Sequence, residues 1–364
     1  MAGRPAWSRS MLLVAIAALT LACAAPPATP AGAPAGSAPS AAAPTAPSGA
    51  APAAAPAREP RALQMGLIGL SGYWYTIWAA QHAGIFAELG LAPERVSIQT
   101  NEAISALSSG GLDVLQSPTD SAITALSKGA PLTMVADHNL EAPYDLVSRP
   151  DITSVDGLRG QKVGVSSLKA GTGTVARVML RGRGLGDDDY ELTQAGGNPQ
   201  RYAALQTGGI QAAVIADPVN FIAKLDGYRI LLSFSDVVPQ YSFVSWWVRR
   251  DWLDTPQNRD DLVNFVAGLI RGKEWAHDPA NREALITIWM DETQTPRPVA
   301  EQMYDYYIVQ HPTLVDSSDL RPEPTEVVIK IQQELEDLPA LPPESQWKDR
   351  TITERARQVA SAPR

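Results

Sequence analysis

Cysteine is almost absent from this chain of 364 residues. The single one, Cys23, leaves no intramolecular disulfide possible, so the fold stands on its packed core alone. Histidine is hardly more frequent, and the four present, His82, His138, His277 and His311, lack the His-Glu-x-x-His spacing or any other ligand pattern. No Gly-x-Ser-x-Gly elbow occurs, and no cysteine follows Cys23 to serve as a nucleophile. Positive charge is in deficit: 30 Lys and Arg face 39 Asp and Glu, a net charge of −9. That balance is the reverse of a nucleic-acid binder's basic stripe. The apolar run at 11–22 falls short of the ~20 residues that cross a bilayer.

What is present begins with that run. Arg4 and Arg9 precede it and the small Ala22 closes it, the layout of a secretory signal. Leu19-Thr20-Leu21-Ala22-Cys23 resembles the bacterial lipobox, with Thr20 where that motif usually carries leucine. The resemblance implies lipidation of Cys23 as the first residue of a mature lipoprotein; plain secretion is the alternative. Acyl chains hold a membrane through methylenes worth ~0.8 kcal/mol each. Residues 24–60 are nearly all Ala, Pro, Gly, Ser and Thr. With no large apolar side chain to offset the entropy of ordering, they read as a disordered, Pro-stiffened tether.

From 61 onward short β-like runs alternate with helical patterns, as in α/β folds. Strands are expected at 63–68, 96–99, 114–116, 132–136, 145–148, 162–165, 191–193, 212–215, 230–233 and 243–248, and helices at 77–89, 101–109, 118–128, 175–181 and 199–207. Beyond 260 the pattern is helical. About 300 residues suffice for two lobes with cores of their own. The expected organisation is a signal peptide at 1–22, a tether at 23–60, lobe 1 at 61–148 plus 243–364, and lobe 2 at 149–242.

Four stretches carry a family resemblance: AAQHAGIFAELGL at 79–91, GGLDV at 110–114, SVDGLRGQKVGV at 154–165 and AVIADP at 213–218. In their order and spacing the chain resembles the substrate-binding proteins of ABC importers, in the subgroup that takes up nitrate, sulfonates, taurine and pyrimidine precursors of thiamine. The resemblance implies a type II periplasmic-binding-protein fold, two α/β lobes with a ligand cleft between them. It also implies a monomer held outside the cytoplasm by its lipid anchor, with a permease and its ATPase as partners. One branch of the family makes a thiamine pyrimidine with its own histidine and a cysteine-rich loop; this chain lacks that loop. Binding without turnover, with no metal and no cofactor, is therefore expected. A ligand-sensing lipoprotein with no transport role is the other class considered.

In such sheets ligands lie beyond the carboxyl ends of the strands, where loops turn into helices. The first such loop offers Ser71, Tyr73, Trp74 and Tyr75, three crowded rings suited to stacking on a flat ligand. One or two of them are expected to reach it. The next offers Thr119 and Asp120, with Asn139 after a following strand, while His138 is expected in a solvated loop. Ser166, Thr172, Gly173 and Thr174 open the second lobe; their Gly-Thr-Gly-Thr run lacks the spacing of a P-loop and serves a tight turn equally well. Asp217 would meet a cation or ring N–H, or cap the following helix, and Trp246 or Trp247 would send one ring into the cleft. Lobe closure is expected about crossings near 146–149 and 241–245. The ligand expected is a small aromatic or heteroaromatic molecule, a vitamin precursor or an aromatic carboxylate, with a sulfonate or nitrate-type oxyanion as the alternative. An oxyanion calls for a cation in the cleft, for which Lys169 is the one well-placed residue.

Overall fold

The computed structural model describes residues 59–168, 171–335 and 338–362; the expected signal peptide, the expected lipidation of Cys23, residues 23–58 of the expected tether and Lys169 lie outside them. Strands β1 (Arg61–Ile68), β2 (Leu91–Ile98), β3 (Val114–Pro118), β4 (Leu132–Asn139) and β10 (Val244–Arg249) form one sheet in the order β2-β1-β3-β10-β4. Strands β5 (Tyr144–Ser148), β6 (Lys162–Val165), β7 (Glu191–Gln194), β8 (Ala212–Ala216) and β9 (Arg229–Ser233) form the other, in the order β7-β6-β8-β5-β9. Both sheets follow one plan. Three parallel strands are joined by an antiparallel one, β10 between β3 and β4, or β5 between β8 and β9. This is the expected two-sheet α/β fold, mixed rather than largely parallel.

The first crossing between sheets departs from expectation. It occupies residues 140–143, not 146–149: Tyr144–Ser148, assigned from the sequence to the first lobe, pairs with β8 and β9 of the second sheet. Pro143 has no N–H to give to a ladder and separates β4 from β5, whereas the expected lobe boundary lay at 148/149. The helix expected after Asp217 runs Val219–Leu225, and the helix expected at 77–89 is two, Tyr75–His82 and Ile85–Glu88.

Side chains alternate across each sheet with the two-residue period of a strand. On one face of the first sheet Leu63, Met65, Leu67 and Trp246 pack with Phe265 and Trp289; on the other Leu115, Met134 and Trp247 pack with Ile123 and Trp347. The second sheet is aliphatic by comparison, with Leu146, Val163 and Val214 on one face and Val147, Ala213 and Ile215 on the other. The helix Pro322–Leu335 spans the two, placing Val328 in the core of the second sheet and Ile329 against that of the first.

Candidate functional site

Two cavities lie between the sheets, at the strand ends where a ligand crevice belongs. The smaller, about 210 Å³, is bordered by residues 68–71, Tyr73, Gln116, Asn198, Asp217 and Val244 among others. The larger, about 570 Å³, is bordered by Asp120, Ser121, Ser166, Thr172, Tyr241 and Gln332. Pro118, Tyr144 and Phe243 belong to both walls. The rings of Tyr144 and Phe243, one beside each crossing, meet edge to face at 5.3 Å and 84° and divide the space into two chambers.

The first loop sends one ring of three to the cleft. Residues 72–74 form a 3-10 turn that runs into the α-helix at Tyr75, which aims consecutive side chains about 100–120° apart, so three neighbouring rings cannot share a face. Tyr73 borders the small chamber and meets His138 and Phe243 edge to face. Trp74 turns inward, its indole N–H donating to Gln116 Oε1 at 2.9 Å, and Tyr75 is buried with its hydroxyl 3.1 Å from His277 Nε2. The expectation that Trp74 and Tyr75 stack on a ligand is corrected: both are core residues. Trp246 is corrected too. It lies fully buried against Phe265 at 4.9 Å, while Trp247 stacks on Trp347 on the opposite face; helices cover both sides of β10.

The other expected residues divide in the same way. Thr119 is sealed under the crossing strand, with its hydroxyl 2.7 Å from Ser245 Oγ and 3.1 Å from Ser242 Oγ. Asp120 borders the large chamber and accepts from the Ser121 N–H. Asn139 is buried within β4, and Glu141 N–H donates to its Oδ1 at 3.3 Å. Ser166 and Thr172 border the large chamber and hold each other: Ser166 N–H donates to Thr172 Oγ1, whose hydroxyl donates to Ser166 Oγ. Gly173 serves packing, since a Cβ there would come within 2.2 Å of the Ser167 carbonyl, and neither Gly173 nor Thr174 borders a chamber. His138 is fully buried rather than solvated. Burial holds its imidazole down to about 3, so it is neutral; Nε2–H donates to the Tyr73 carbonyl and Nδ1 faces Ser317 Oγ, fixing the backbone under the Tyr73 ring.

Asp217 is the acid of the small chamber. It stands at the end of β8 in the second sheet, yet its carboxylate accepts from Ser71 Oγ at 2.6 Å and from the Gly72 N–H, both after β1 of the first. Burial pushes this carboxyl up to about 6, against the hydrogen bonds, those from Ser71 and Gly72 foremost, that pull it down. A Cβ on Gly72 would lie 2.8 Å from Asp217 Oδ2, so the close approach requires glycine. Among the described lining residues of both chambers there is no lysine or arginine; the charged ones are Asp120 and Asp217.

Gln116, Tyr144, Tyr241 and Phe243 were missed as cleft residues. Gln116 is 1% exposed; Trp74 fixes its oxygen, and its Nε2 has no protein partner. The signal available for the others was their place beside the crossings, where a hinged fold brings chain from both sheets to the cleft. Among the described residues no group of His, Cys, Asp and Glu is gathered to hold a metal ion, and no helix is long and apolar enough to cross a membrane.

This geometry, two sheets of one plan joined by two crossings with a ring-walled cleft between them, is that of a two-lobed periplasmic-type binding protein. Residues 72–281 match the model of the NMT1/THI5-like family, and the chain belongs to that family. No curated protein matches it by sequence. Its fold is similar to that of the aliphatic sulphonate binding protein SsuA of Escherichia coli (TM-score 0.64, 21% identity, 79% of this chain and 92% of that one). It is also similar to the alkanesulfonate-binding protein SsuA of Xanthomonas axonopodis pv. citri bound to MOPS (0.64, 16%, 80% and 99%). The nitrate-binding protein NrtA of Synechocystis PCC 6803 shares the fold as well (0.64, 15%, 83% and 89%).

Proposed function

We propose that this protein is the extracytoplasmic binding component of an ABC importer, tethered through Cys23, and that it closes two lobes over a small planar heteroaromatic ligand. The lobes are the units built on the two sheets, with chain boundaries near 140–143 and 234–243. Closure turns about these crossings, and the ligand is released to a permease without chemistry. The observation that carries the reading is the wall of the cleft: Tyr73, Tyr144 and Phe243 offer ring faces and edges, Asp217 offers an acceptor, and no cation stands among the described lining residues. Rings against rings exclude water, and a polar edge orients the ligand. An uncharged or cationic heterocycle with an N–H toward Asp217 fits such a wall; an aromatic carboxylate fits it less well.

A second reading, an oxyanion ligand, draws support from the sulfonate- and nitrate-binding neighbours and from the helices Thr119–Ser127 and Thr172–Arg181, which start at the large chamber. Calorimetric titration with a pyrimidine and with methanesulfonate separates the two readings. Saturable pyrimidine binding without methanesulfonate binding supports the first; the reverse replaces it. Genes for a permease and an ATPase beside this one support the transport role, and their absence favours a sensor.

A further inference from the structure

The donors of the first loop are occupied from across the cleft. Ser71 Oγ–H and Gly72 N–H form a small convergent pair of the kind that receives an oxygen anion, and a buried carboxylate of the opposite sheet already sits on them. Trp289 Nε1–H holds the Gly72 carbonyl at 2.9 Å, which fixes the loop, and the bare Cα of Gly72 makes room for the carboxylate. We infer that Asp217 is an internal counter-anion: it fills the oxyanion position of the Ser71–Gly72 loop and so sets the cleft's selectivity against oxyanions. A sulfonate or nitrate entering the small chamber finds the Ser71 and Gly72 donors occupied and a carboxylate beside them, with no cation among the described lining residues to compensate. The inference rests on the cleft as ligand site and adds the residue that decides between its two ligand classes.

Asp217→Asn keeps the shape and removes the charge, and Asp217→Ser opens the position further. Both are titrated in the full chain by calorimetry with sodium methanesulfonate and sodium nitrate, with nicotinamide as the uncharged ring probe. The expected result is at least tenfold tighter methanesulfonate binding in one or both variants than in the native protein, and loss of that gain when Ser71→Ala is added. Native protein that binds methanesulfonate as tightly as the variants overturns the inference. So does the absence of any gain in a variant that keeps its native circular dichroism and cooperative melting. Failure of nicotinamide and related rings to bind counts against the ring-binding reading alone, since the oxyanion gain is read independently of it.

Discussion

At the end of β3 stands Thr119, its hydroxyl bonded to Ser242 and Ser245; at the end of β8, the strand in the same place in the second sheet, stands Asp217, its carboxylate bonded to the other lobe. The loops after β1 and β6 differ in the same sense. Ser166 and Thr172 close on each other within their own loop, while Ser71 and Gly72 are held from across the cleft. One topology has thus been given two chemistries: a self-contained hydroxyl loop on one side and a cross-cleft contact on the other. The cores differ as well. The first sheet is braced by Trp246, Trp247, Trp289 and Phe265, the second mainly by Leu, Val, Ile and Ala, with no tryptophan among the described residues of its core. Trp289 of that aromatic core donates to the Gly72 carbonyl and so holds the loop from which the donors project.

The largest effect expected is in those cores. Trp246→Ala should cost ~3–5 kcal/mol as a large cavity opens, whereas Val147→Ala on β5, its counterpart in the second sheet, should cost ~1–2 kcal/mol at ~0.8 per methylene. Denaturant midpoints measure both, and equal losses would break the contrast between the sheets. Next come the glycines. Gly173→Ala drives a Cβ into the Ser167 backbone at 2.2 Å, while Gly72→Ala meets only the side chains of Asp217, Met303 and Tyr307 at 2.8–2.9 Å. Overpacking of this kind costs ~1–3 kcal/mol. Thermal melts should place Gly173→Ala lower than Gly72→Ala, and Gly72→Ala alone should loosen the Asp217 contact and admit methanesulfonate.

A smaller effect follows from pH. Burial raises the carboxyls of Asp217 and Asp137 from 3.8 to about 6, so the folded chain binds their protons more tightly than the unfolded one. That contribution to stability is whole below the unfolded value and is lost as pH rises through the folded one. Asp217→Asn should therefore flatten the fall in melting temperature between about pH 4 and pH 6; a melt series at fixed ionic strength with an unchanged slope contradicts the assignment. Smallest of all is Trp74→Phe. It removes the donor that fixes Gln116 and leaves the cleft walls intact, so ring-ligand affinity should move only a few-fold, where Phe243→Ala should lower it by about tenfold, the upper range of an aromatic pair.

Much of this was legible in the chain. The short, largely apolar runs of β1, β4 and β8 marked buried strands, and the loops after them marked the cleft, because those features are local. The directions of single side chains were not legible. Tyr73, Trp74 and Tyr75 are equivalent as letters and part only because a helical turn fans them apart, and Trp246 reads as a cleft residue until the helices covering β10 are known. His138 looked solvated because nothing in its neighbours reveals Ser317 folding over it from far along the chain. The first crossing shifts from 146–149 to 140–143 because Tyr144–Ser148 reads as a strand from its letters alone, and only its pairing with β8 and β9 assigns it to the second sheet. The partnership of Asp217 with Ser71, distant in sequence and in different lobes, is a product of the fold alone.

The most direct test is a thermal-shift titration of the native protein and Phe243→Ala with uncharged pyrimidines, methanesulfonate and nitrate. A ligand at a hundredfold excess over its Kd stabilises by ~2.7 kcal/mol, which a melting curve resolves. The account predicts a rise in melting temperature with a pyrimidine, diminished in Phe243→Ala, and none with the oxyanions. A rise with the oxyanions alone, unchanged in Phe243→Ala, would contradict it.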